Sequence, residues 1–91
     1  MVTAIILLEV ERGKVNEVGE RLAAIEGVTE VFSVGGRYDL VAMVRVASNE
    51  GLAALVNTTL AAEQDITRTE SLIAFEVFSR HDLDAMFSIG A

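Results

Sequence analysis

The sequence of 91 residues contains no cysteine. A disulfide framework and a thiolate metal site are thereby excluded as the means of holding a small domain together. Tryptophan is also absent, and there is a single histidine. Basic residues are scarce, seven Lys and Arg against fourteen Asp and Glu, giving a formal charge of −7. Such a balance repels phosphate backbones and anionic lipid surfaces, so direct nucleic-acid or membrane binding is not expected. The apolar run at residues 2–10 has about half the length needed to cross a bilayer, and no Lys or Arg precedes it as a signal peptide requires. The expected location is cytoplasmic, in agreement with the lack of cysteine. Hydrophobic residues make up 52% of the chain and charged residues 23%, too apolar a composition for disorder. A chain of 9.8 kDa has room for one core, so residues 1–91 are expected to form a single domain stabilised by burial.

Residues 2–11, VTAIILLEVE, alternate as a strand, with Val2, Ala4, Ile6, Leu8 and Val10 on one side and an apolar middle on the other. From about Lys14 the period becomes helical: Val15, Val18, Leu22 and Ile25 form a stripe that Gly27 is placed to end in a left-handed conformation. Gly19, inside that helix, costs about 1 kcal/mol relative to alanine unless it allows close approach to a sheet. A second strand over 28–34 stops at Gly35-Gly36, a glycine pair that reads as a tight hairpin turn into a third strand over 38–46. Ser48 or Asn49 can cap a second helix carrying Leu52, Leu55, Val56 and Leu60. The last strand is expected over 66–80, with Leu72, Ala74 and Phe78 on one face and Ile73, Phe75 and Val77 on the other. Leu83, Met86 and Phe87 suggest a final helical turn.

The order β-α-β-β-α-β predicts an α+β, ferredoxin-like domain with a four-stranded antiparallel sheet ordered 4-1-3-2 and two helices on one face. Two helices cover one face only. Ile5, Leu7, Val41, Met43, Ile73, Phe75 and Val77 are expected on the uncovered side, where an apolar area of several hundred Å² favours association. A homodimer, sheet against sheet, is the expected outcome.

Little in the sequence points to catalysis. His81 stands beside Asp82 and Asp84, which make at most a partial, solvent-exposed metal set, and no nucleophile-elbow motif accompanies the serines. No cofactor is expected. The topology does gather Glu9, Glu11, Arg37, Tyr38, Asp39, Thr67, Thr69 and Ser71 at one end of the sheet, next to Gly35-Gly36. An Arg fork and a carboxylate match the two charges of a zwitterion, with hydroxyls and glycine N–H groups as further partners; the plainer alternative is that these are ordinary polar residues at a hairpin end.

The run from Ile25 to Val46, containing Gly27-Val28 and Gly36-Arg37-Tyr38-Asp39 before an apolar strand, resembles the effector-binding module of the Lrp/AsnC family of transcription regulators. Thr69 and Ser71 match the hydroxyl positions of the threonine-rich motif in the family's last strand. The resemblance implies dimerisation through the sheets, assembly into rings such as octamers or decamers, and small effectors, typically amino acids, held in clefts between dimers. It implies that Gly36, Tyr38 and Asp39 line the site with Thr69 and Ser71 close by; Gly35 and Arg37 are added from the residue chemistry alone. Two departures stand out. The chain starts at the first strand, where full-length relatives carry a helix-turn-helix, so it resembles a stand-alone module that would reach DNA only through full-length regulators. Asp65 stands where the family usually has glycine. The expected function is thus an amino-acid-binding oligomer in transcription regulation. The rival is a cofactor-free dimeric α+β barrel enzyme, a monooxygenase or isomerase, which would enclose a pocket within each subunit.

Overall fold

A computed structural model describes residues 1–80. The elements run β1 (Val2–Val10), α1 (Val15–Ala23), β2 (Val28–Ser33), β3 (Leu40–Val46), α2 (Asn49–Ala54), a π-helical segment (Leu55–Leu60) and β4 (Ile66–Ala74). They form one antiparallel sheet in the order β2-β3-β1-β4, the ferredoxin-like arrangement. His81 and the proposed helical turn at Leu83, Met86 and Phe87 lie outside the described residues.

Strand alternation in β1 sends Ala4, Ile6, Leu8 and Val10 into the core, where Leu40, Ala42 and Val44 of β3 meet them from the next strand. The helices close over this face with Val18, Leu22, Leu52, Leu55 and Leu60, and no polar side chain is buried among the described residues. The Ser48 side chain caps α2, accepting from the Gly51 amide at 3.1 Å. Leu55 and Leu60 are five residues apart, and in a regular α-helix they would point in different directions. The π-helical widening, with its i→i+5 pattern, lets both face the core.

Three expectations need correction. The glycine pair is not a two-residue turn: β2 ends at Ser33 and β3 begins at Leu40, so the connection spans residues 34–39. Strand β4 stops at Ala74, paired with Thr3, rather than reaching residue 80. The faces of β4 are also reversed near its end. Ile5 pairs with Leu72 and Ala4 with Ile73, and paired residues share a face, so Leu72 joins the open side and Ile73 the helix side. The open face therefore carries Ile5, Leu7, Val41, Met43, Phe32 and Leu72, of which Phe32 and Leu72 are each 45% exposed.

Candidate functional site

The connection between β2 and β3 is built by its glycine and its aspartate. Gly36 adopts φ +134°, and a Cβ there would touch nothing, so glycine serves the backbone conformation rather than a close approach. The Val34 amide donates to the Asp39 carbonyl at 3.0 Å, closing the loop. Asp39 then joins the loop to β1 twice: its amide donates to the Leu8 carbonyl at 2.9 Å, and its Oδ2 accepts from the Val10 amide at 2.9 Å. The carboxylate thus supplies the next rung of the β1–β3 ladder where the backbone of the loop has turned away.

Beside it, the Tyr38 hydroxyl donates to the Glu70 carboxylate, and the Arg37 guanidinium lies 5.6 Å from the centre of the Tyr38 ring, within cation–π range. The Tyr38 hydroxyl is held above its ordinary pKa, first by the hydrogen bond to Glu70, then by desolvation and by the Glu70 charge, with Arg68 and Arg37 opposing. Two cations, a phenol and a carboxylate therefore meet at the end of the open face. Sequence reasoning missed Glu70 and Arg68 as members of this group. Their spacing with Leu72 could have shown it, since Arg68, Glu70 and Leu72 alternate on one face of β4, opposite Glu9, Leu7 and Ile5.

Thr69 and Ser71 pair with Leu8 and Ile6, whose side chains are buried under the helices. They therefore occupy the helix side of β4, opposite to Glu70. Thr69 lines a groove of about 370 Å³ between the π-helical segment and β4, together with Asn57, Leu60, Glu63, Ile66 and Thr67. The Thr67 hydroxyl donates to the Glu9 carbonyl at 3.1 Å, tying the groove floor to β1. Ser71 lies further along the strand and does not line this groove. Gly36, Arg37, Tyr38 and Asp39 are brought together at one end of the sheet; Thr69 reaches the same end but on the other face. Gly35 is exposed, with open space where its Cβ would be.

The lead-in to β4 is clamped. Arg21 of α1 donates to Glu63 at 2.9 Å and to Asp65 at 3.0 Å, and these hydrogen bonds, that to Asp65 foremost, raise the Arg21 pKa. The Asp65 carbonyl also accepts from the Glu11 amide at 2.7 Å. Asp65 is thus part of the frame beneath the groove. Among the described residues no three His, Asp or Glu side chains converge on a possible metal position, and no helix is long and apolar enough to cross a membrane.

The family model for the Lrp/AsnC ligand binding domain matches residues 3–83. The chain belongs to this family. Among solved structures, this Lrp/AsnC domain is similar to TTHA0845 from Thermus thermophilus, with 39% identity, 88% of this chain and 100% of that chain covered, and a TM-score of 0.82. It is also similar to the hypothetical protein PHS023 from Pyrococcus horikoshii, with 33% identity, 89% and 95% coverage, and a TM-score of 0.79. The transcriptional regulator NMB0573 from Neisseria meningitidis, solved as its L-Met complex, shares the fold at 14% identity and a TM-score of 0.78, over 87% of this chain and 53% of that one. No curated protein sequence matches significantly. The Lrp/AsnC domain is accordingly a module of the effector-binding, regulatory type.

Proposed function

We propose that this domain senses an amino acid or a similar zwitterionic metabolite, held between copies of the chain. The observation that carries the reading is the division of the polar residues between two faces of one sheet. Gly36, Arg37 and Tyr38 stand with Glu70 on one side, and Thr69 stands with Asn57 and Glu63 on the other. A single ligand meets both sets only where two copies adjoin, the loop of one facing the groove of its neighbour. Arg37 and the loop amides suit a carboxylate; Glu63, Asn57 and the threonine hydroxyls suit an ammonium group and polar substituents. The L-Met complex of NMB0573 supports the ligand class.

The open sheet face supplies the first contact between copies. Ile5, Leu7, Val41 and Met43 form an apolar centre flanked by half-exposed Phe32 and Leu72, the composition of a buried interface rather than of a wetted surface. Further assembly of such dimers into a ring, an octamer or decamer, would create the loop-to-groove crevices. A ligand that binds one assembly better than another shifts their populations by that difference in affinity. Mixed assembly with full-length regulators would carry the signal to DNA. The catalytic alternative requires a pocket enclosed between sheet and helices. That space is filled by Ile6, Leu8, Leu22, Leu40, Val18 and Val44.

Isothermal titration of the full chain against the twenty amino acids tests the reading. Saturable heat for one or a few of them, abolished by Thr69→Ala and by a substitution at Arg37, is expected. Absence of heat for all twenty, in protein shown to be assembled, would overturn it.

A further inference from the structure

Among the described residues, the groove between the π-helical segment and β4 has a single carboxylate in its lining, that of Glu63. The backbone of Glu63 is fixed on both sides: its amide donates to the Leu60 carbonyl at 3.0 Å, and its carbonyl accepts from the Ile66 amide at 3.2 Å. A glutamate anchored in this way still has side-chain torsions to lose when it meets a ligand. Arg21 removes that freedom in advance. It reaches across from α1, where its neighbour Leu22 is fully buried, and its Nε donates to Glu63 Oε2 at 2.9 Å. Oε1 accepts no hydrogen bond among the described residues and stays available on a side chain that is 21% exposed.

An isolated Arg–Glu pair would be neutral, and its carboxylate would attract a further cation only weakly. Here the guanidinium is shared. Its second nitrogen, Nη2, donates to Asp65 Oδ2 at 3.0 Å, so one positive charge is divided between two negative ones and the trio keeps one negative charge in excess. Arg21 and Asp65 stand behind the groove and are absent from its lining. The groove therefore meets a ligand with Glu63, while the group that orients Glu63 and the group that preserves its surplus charge lie outside. The opposite sign comes from Arg68, which borders the same groove from β4 and forms no ion pair among the described residues.

We propose that Arg21 is a positioning residue for the ammonium group of the effector: it holds the Glu63 carboxylate at the groove wall, and Asp65 keeps the trio anionic. The inference rests on the sensor reading above and adds how that site selects charge. A carboxylate preset in one rotamer binds a cation with little ordering cost. The site should thus distinguish an amino acid from its 2-hydroxy acid, which offers a neutral hydroxyl at the same carbon.

Charge alone and positioning predict opposite signs for one variant. Arg21→Met leaves Glu63 and Asp65 uncompensated, which by charge alone would tighten ammonium binding; loss of the preset rotamer weakens it. Full-length parent protein, Arg21→Met and Asp65→Asn, each shown by sedimentation velocity to keep the parent assembly, are titrated calorimetrically with the twenty amino acids. The 2-hydroxy acid of each amino acid that gives heat follows. Arg21→Met should weaken amino-acid binding by about tenfold and change 2-hydroxy-acid binding by less than about twofold. Asp65→Asn, which keeps an acceptor for Arg21 and removes the surplus charge, should reduce the same preference. If Arg21→Met does not assemble, Arg21→Lys preserves the charge without the planar fork and should shift the preference in the same direction. Tighter or unchanged amino-acid binding in the Arg21 variant, an equal loss for both ligand classes, or an unchanged preference in Asp65→Asn would overturn the inference and leave the sensor reading standing. Parent protein that gives no heat with any of the twenty would overturn both.

Discussion

The Val10 amide donates to the Asp39 carboxylate at 2.9 Å while the Asp39 amide donates back to the Leu8 carbonyl at 2.9 Å. One residue therefore completes a strand pair with its side chain as well as its backbone, at the point where β1 also shifts register against β4 between Glu9 and Val10. Removing the side chain leaves a partly buried amide with no acceptor. Asp39→Ala should cost about 1–2 kcal/mol in urea unfolding, and Asp39→Asn, which keeps an acceptor oxygen, distinctly less. Equal losses for the two variants would show that the ladder does not depend on this bond.

Tyr38 is the sole tyrosine and there is no tryptophan, so absorbance titration of phenolate reads this group alone. Its midpoint should lie above the ordinary value near 10, because the hydrogen bond to Glu70 favours the protonated phenol. In Glu70→Gln the midpoint should fall toward the ordinary value. The sign for stability follows: a folded-state pKa above the unfolded one contributes stability that is fully present below pH about 10 and is lost as pH rises through the raised value. Tyr38→Phe should lack that loss between the two pKa values.

Gly19 and Gly27 should respond in opposite directions to alanine. At Gly19 an added Cβ would lie 3.7 Å from Leu40 Cδ2, an ordinary contact, and the backbone is helical. Gly19→Ala should therefore stabilise the subunit by about 0.5–1 kcal/mol. Gly27 has φ +96°, and its Cβ would meet Val46 Cγ1 at 3.1 Å. Gly27→Ala should cost about 1–2 kcal/mol. Thermal unfolding of the two variants beside the parent protein checks both signs.

Phe32 on β2 and Leu72 on β4 flank the open face from its two edges. Phe32→Glu should abolish association at concentrations where the parent protein is dimeric, with the circular dichroism of the subunit preserved, because a charge enters an apolar contact without a partner. Sedimentation equilibrium distinguishes this from unfolding.

The parts of the fold legible in the sequence are those where pattern and environment agree. Alternation in β1 identifies Ala4, Ile6, Leu8 and Val10, and helical spacing identifies Val18 and Leu22, because each set faces a single core. The end of β4 is not legible because Leu72 and Ile73 are both apolar and a one-residue slip exchanges the faces without altering the pattern. Gly35-Gly36 suggests a short turn, yet Asp39 substitutes for a strand residue with its side chain and allows a longer loop. The site divides in the same way. Topology places Tyr38 and Thr69 at a common end; only the register with Leu7 and Leu8 assigns Glu70 and Thr69 to opposite sides.

The widened turn at Leu55–Leu60 acts as a length adjuster. It holds one residue more than a regular helix would need to join its two buried leucines, and that surplus is absorbed before the chain reaches Arg21's partners at Glu63 and Asp65. Shortening the stretch Asn57, Thr58, Thr59 by a single residue would let the segment close up as ordinary helix with Leu60 still inward. The threonines downstream would keep their places against β1.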